Sequence, residues 1–139
     1  MKTIRNLLIT LAVTAYLVYR YHRQWIAVIL RLTPPQYRVQ VERDLRIPMQ
    51  DGVILAADHY APITDERTPT ILIRSPYGRN ANHSVFGLLL AFFGHRFAER
   101  GYHVLIQDTR GRFDSTGSFN PYFNENEDGA VTLAWLCRQ

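Results

Sequence analysis

Two short, uninterrupted apolar runs, Ile71-Leu72-Ile73 and Val104-Leu105-Ile106, bracket a stretch in which Phe86, Leu89, Leu90, Phe93 and Phe97 recur at helical spacing. A continuous apolar run of this length suits a strand covered on both faces of a sheet. Strands alternating with helical patterns mark a parallel sheet. Gly101 stands where a helix C-terminus takes glycine. Strand, helix, strand in this order gives a right-handed crossover. The chain is therefore predicted to be an α/β protein, with strands at 70–74 and 103–107.

The flanks extend this reading. Val39, Val41, Leu45 and Ile47 alternate with polar residues, the period of a half-buried strand. Gln50-Asp51-Gly52 follows, and Asp-Gly is a strong hairpin turn. Residues 53–60 form the returning strand, and 62–69 a polar loop. Downstream, Asn124 is placed to cap a last helix, with Glu127 three residues on and Glu125 and Asp128 in its first turn. Val131, Leu133, Ala134, Leu136 and Cys137 supply its apolar face. A lone cysteine on such a face is expected in the core. As the sole cysteine of the chain, Cys137 also excludes an intrachain disulfide.

The formal net charge of +4 is unevenly spread. No acid precedes Glu42, whereas Lys2, Arg5, Arg20, Arg23, Arg31 and Arg38 do. The body carries no basic surplus, so no nucleic-acid partner is expected. Residues 7–19 are an uncharged, mostly apolar run, short for a membrane span. Beyond it Arg20, Arg23, Gln24, Ala27 and Arg31 share one helix face. Trp25, Ile26, Ile29, Leu30 and Leu32 lie mainly on the other, as in a helix lying in a membrane interface. Pro34 and Pro35 end the pattern. Residues 1–35 are read as an uncleaved transmembrane-like anchor with an interfacial helix, giving membrane contact through 1–32 and a membrane-associated protein. The alternatives are a helix packed on the body and a secreted or cytoplasmic protein.

Four loop motifs carry a more specific message: Ile47-Pro48-Met49-Gln50-Asp51-Gly52-Val53; Arg74-Ser75-Pro76-Tyr77-Gly78-Arg79; Gln107-Asp108-Thr109-Arg110-Gly111-Arg112 with Ser115-Thr116-Gly117-Ser118-Phe119; and Asn124-Glu125-Asn126-Glu127-Asp128-Gly129 with Trp135-Leu136. In this order and spacing they resemble the X-prolyl dipeptidyl-peptidase and cocaine-esterase family of serine α/β-hydrolases, over residues 39–139. The chain departs from many relatives at Val131-Thr132, where they carry Asp-Thr, and the N-terminal segment is not a general family feature.

The resemblance implies a Ser-Asp-His triad and a tyrosine hydroxyl in the oxyanion hole. Only the tyrosine can be carried over, to Tyr77. In α/β-hydrolases the loop after this strand supplies one oxyanion donor. Pro76 has no N–H to give, and a phenol is a suitable substitute. No Gly-x-Ser-x-Gly is present; Ser115 has Phe113 two residues before it. His22, His59, His83, His95 and His103 all precede the nucleophile position, lack metal-ligand spacing and are read as ordinary surface or core residues. Asp108 and Arg110 are expected to brace the loop rather than act chemically. No metal or cofactor is expected. Residues 36–139 are thus read as a partial hydrolase domain ending before its nucleophile elbow, inactive alone. In a complete protein it would serve hydrolysis of a small acyl ester, amide or short peptide through an acyl-enzyme. The resemblance also implies an open apolar edge along 70–74. The alternatives are a membrane-tethered half-domain without catalysis and a truncated gene product.

Overall fold

The computed structural model describes residues 2–139; Met1 and the side chains of Lys2 and Thr3, with which the predicted anchor starts, lie outside them. The chain divides into two compact units, one up to Pro35 and one from Gln36 to Gln139.

The first unit is one uninterrupted helix, α1 (Lys2–Ile29), not an anchor followed by a separate interfacial helix. It closes through Leu32 N–H donating to Ala27 O at 2.8 Å, with Arg31 at φ +53°. The helix therefore ends before Pro34 is reached. Among the described residues no helix is long and apolar enough to cross a membrane. This corrects the transmembrane expectation. A mostly apolar run of thirteen residues rises only about 20 Å as a helix, short of a bilayer core, and Arg5, Arg20 and Arg23 interrupt anything longer.

The second unit is a four-stranded mixed sheet with two helices. Its strands are β1 (Val39–Pro48), β2 (Ile54–Pro62), β3 (Thr70–Ser75) and β4 (His103–Asp108), in the order β1-β2-β4-β3. The β1–β2 and β2–β4 pairs are antiparallel and β3–β4 is parallel. The Asp51-Gly52 turn joins β1 to β2, with Gly52 at φ +82°. Alternation along the strands builds a core on each face. Ile47, Met49, Leu55, Ala57 and Leu105 lie on one, with Val131, Trp135 and Leu136 of α3 (Glu125–Leu136) packed against them. Tyr60, Val104 and Ile106 lie on the other with Ala98 of α2 (Val85–Ala98). Each fully buried Leu or Ile here contributes about 1.5–3 kcal/mol.

Four local expectations need correction. Strand β4 is buried along most of its length, but Ile71, Leu72 and Ile73 of β3 stay partly exposed rather than covered on both faces, because β3 is the sheet edge among the described residues, in line with the open edge expected along 70–74. Helix α2 docks through Gly87, Gly94 and Ala98, while Phe86, Leu89, Phe93 and Phe97 remain exposed. A Cβ at Gly94 would lie 2.9 Å from the Tyr60 ring, so only glycine lets the helix approach that closely. In α3, Asn124 makes no side-chain capping bond, and Cys137 is exposed rather than in the core. The expected glycine closure of α2 does form, with Gly101 at φ +89° donating to Ala98 O.

Candidate active site

Strands β3 and β4 run parallel and end side by side, Ser75 opposite Asp108. Ligands of open α/β sheets gather at the carboxyl ends of such strands, and Tyr77 lies just beyond this one. Its turn is pinned residue by residue. The Tyr77 N–H donates to Ser75 Oγ at 3.0 Å. Arg112 Nε donates to Pro76 O at 3.0 Å. The Tyr77 carbonyl accepts from Ser84 Oγ, which also caps α2 by accepting from Gly87 N–H at 2.9 Å. Gly78 adopts φ +95°, and a Cβ there would stand 2.5 Å from His83 Cβ. With the backbone held, the Tyr77 side chain remains accessible, the residue 58% exposed, its ring against Phe86. It lines a cleft of about 430 Å³ with Arg74, Thr109, Arg112, Tyr122 and Glu125. A larger cavity, about 670 Å³, opens near Thr70 and His103, where β3 and β4 begin. It lies at the opposite end of these strands from Tyr77.

Beneath the turn lies a cluster of charges that the sequence reading missed. Arg79, only 3% exposed, donates through Nε to Asp58 Oδ1 at 2.9 Å and through its terminal nitrogens to Asp108, Asp44 and Asp114. Asp58 is completely buried in β2 and also accepts from Arg43, Asn80 and the Asp44 N–H. A β-bulge between Glu42 and Leu45, with Asp44 at φ +59°, brings β1 into this cluster. Burial pushes the Asp58 carboxyl up, but the Asp44 N–H, Asn80 and Arg79 outweigh it and hold its pKa below the usual value. Asp108 goes the other way. Burial dominates and raises it, although Arg79 opposes this; its Oδ1 is buried without a hydrogen bond. His83 Nε2 lies 3.0 Å from Asp114, and the ring stacks on Phe113 at 4.8 Å. His83 therefore supports the turn by packing and pairing, as a partly buried structural residue. His83, Asp108 and Asp114 offer ligand atoms within 4.8 Å of one another. Arg79 already reaches both carboxylates, so the cation among them is a guanidinium.

A second network lies toward α3. Arg74 donates to Gln107 Oε1 at 2.9 Å and pairs with Glu125 at 2.6 Å. Arg110 binds both oxygens of buried Asp128 and reaches Asp51 of the hairpin turn. These contacts hold Arg110 charged, and Arg110 in turn lowers the Asp51 pKa. Asp108 and Arg110 thus brace loops, as their positions predict. Ser115 is buried, its Oγ donating to Asp108 O at 2.8 Å and accepting from Ala56 N–H at 2.9 Å, a tie between strand and loop. His59 and His103 pair across β2 and β4 at 2.9 Å, away from Tyr77; His95 packs edge-on to Tyr60, and His22 lies on α1. The one available clue to the missed cluster was Asp58 itself, an ionisable residue directly after Leu55-Ala56-Ala57.

A family model described as X-Pro dipeptidyl-peptidase (S15 family) matches residues 51–139. Cocaine esterase of Rhodococcus sp. (strain MB1 Bresler) is 39% identical over 100 residues, 71% of this chain and 17% of the esterase. The solved α-amino acid ester hydrolase is 28% identical, with a TM-score of 0.56 over 73% of this chain and 19% of its own. A CocE/NonD family hydrolase from Staphylococcus aureus shares the fold, with a TM-score of 0.59 at 22% identity, covering 71% of this chain and 21% of its own. The chain spans about a fifth of the length of these proteins. Because the family model spans residues 51–139, more than half of the chain, the chain belongs to the X-Pro dipeptidyl-peptidase (S15) family.

Proposed function

We propose that this chain forms the N-terminal part of a serine hydrolase acting on small acyl esters, amides or short peptides, and that Tyr77 supplies its oxyanion donor. In such a hydrolase a serine nucleophile, an acid and a histidine carry the reaction through an acyl-enzyme. The observation that carries the reading is the Tyr77 turn: a backbone held at Pro76 and Tyr77 by three hydrogen bonds, presenting an accessible phenol at the end of β3. As a carbonyl is attacked its oxygen becomes an anion, and a fixed donor stabilises that state more than the substrate. Labelling the native gene product with a fluorophosphonate tests for the serine. In the labelled protein, Tyr77→Phe removes only the hydroxyl; kcat should fall about a hundredfold to a thousandfold. Unchanged kcat would make Tyr77 a packing residue.

Helix α1 supports a second element of the reading, contact with a membrane surface through residues 1–32. Apolar residues including Leu8, Leu11, Tyr19 and Val28 are exposed on it, and its charged residues are all basic. A helix of this kind binds anionic lipid by apolar burial plus electrostatics. Vesicles containing phosphatidylserine should sediment the full chain and leave residues 36–139 in the supernatant. Equal sedimentation of both would show that the helix does not carry the binding.

A further inference from the structure

We propose that Arg79 is the positioning residue of the Tyr77 turn, fixing the phenol at the reacting carbonyl without touching substrate; this rests on Tyr77 being the oxyanion donor. Arg79 follows Tyr77 by two residues, and the intervening Gly78 is locked against His83. The three nitrogens of the guanidinium reach four elements: Nε meets Asp58 in β2, one terminal nitrogen meets Asp108 at the end of β4, and the other meets both Asp44 in the β1 bulge and Asp114 in the loop beyond β4. The turn is thereby tied to three strands and a loop through one planar group. Arg79 does not line the cleft that Tyr77 lines, so its influence on a reacting carbonyl passes through the backbone of the turn. A shift of about 1 Å in a reacting group can cost on the order of a hundredfold in rate.

Lysine keeps the charge but offers a single ammonium in place of the fork, so it cannot meet Asp58, Asp108 and Asp44 in their separate directions. Arg79→Lys is therefore the informative variant. Arg79→Gln removes the counter-charge from two buried carboxylates and reports mainly on folding.

The test is a double-mutant cycle in the intact, fluorophosphonate-reactive protein, combined with hydrogen exchange on the 139-residue chain. Arg79→Lys should lower kcat about tenfold or more with KM little changed. Combined with Tyr77→Phe it should add nothing, because the hydroxyl it positions is gone. In the chain, exchange should accelerate across 75–84 and stay unchanged in β2 and β4. If Arg79→Lys lowers kcat equally with and without the Tyr77 hydroxyl, or if exchange across 75–84 does not change, Arg79 is not the positioning residue although Tyr77 can still be the donor. If Tyr77→Phe alone keeps full kcat, the donor assignment fails and this inference with it.

Discussion

The ring of Tyr77 rests on the ring of Phe86, centroids 5.3 Å apart and planes inclined by 34°. Phe86 belongs to the first turn of α2, whose N-cap Ser84 also binds the Tyr77 carbonyl. The helix thus holds the tyrosine at its backbone and at its ring. Phe86→Ala removes the ring contact, worth about 0.5–1.5 kcal/mol. If Tyr77 is the oxyanion donor proposed above, kcat of the fluorophosphonate-reactive protein should drop up to about tenfold. The melting temperature should fall by no more than about a few degrees, because Phe86 is 61% exposed and little more than the ring contact is lost. A steady-state comparison beside Tyr77→Phe checks this; an unaffected kcat would leave the ring contact without a role.

Arg110 is held from two sides of unequal worth. Asp128 is 1% exposed, whereas Asp51 sits on the open hairpin turn. Asp128→Asn leaves Arg110 and Arg74 facing a neutral group and should cost about 3 kcal/mol. Asp51→Asn should change little, as for other solvated ion pairs. Urea unfolding of the two variants measures the difference; equal losses would contradict the burial argument.

Gly87 packs against the backbone of Asn80, and a Cβ there would stand 2.2 Å from Asn80 O. In an open helix Gly→Ala gains up to about 1 kcal/mol. Here the clash is with main chain, which cannot rotate away. Gly87→Ala should therefore lose about 1–3 kcal/mol and speed exchange of the 80–84 amides. A stabilised variant would show that the loop yields freely.

Burial, and next the charge of His103, hold the His59 pKa below the ordinary 6.5, with Glu42 opposing. As pH falls through 6.5 the unfolded chain takes up a proton that the folded chain still refuses. Stability attributable to His59 is thus complete above 6.5 and declines below it. Asp108 contributes with the opposite sign, its raised pKa favouring the folded state as pH falls. Comparing the native chain with His59→Gln between about pH 7.5 and 5.5 isolates the histidine. The variant should show the weaker loss on acidification; identical slopes would remove His59 from the account.

The strands and the crossover were legible because alternation and apolar runs report sheet faces directly, and Asp-Gly reports its turn. Helix α2 was legible as a helix but not in its orientation. Periodicity weighs Phe86 and Phe93 above Gly87 and Gly94, yet the glycines decide which face approaches Tyr60. The Tyr77 turn could be found from its motif. Its support could not, because Asp44, Asp58, Arg79, Asp108 and Asp114 are scattered along the chain and meet only through a bulge and a sheet register. Ion pairs between distant segments leave no local period. The continuity of α1 was missed for a simpler reason: a change in which face is charged does not interrupt a helix.

Every restraint described for Tyr77 is supplied by residues 44–119, from the bulge to the loop beyond β4. The Tyr77 turn and its supports are therefore one self-contained cassette within the second unit. A graft that moved the Ser-Pro-Tyr-Gly tetrapeptide alone into another hydrolase would transfer a phenol without its address, since the coordinates that locate it are written in the carboxylates of three strands.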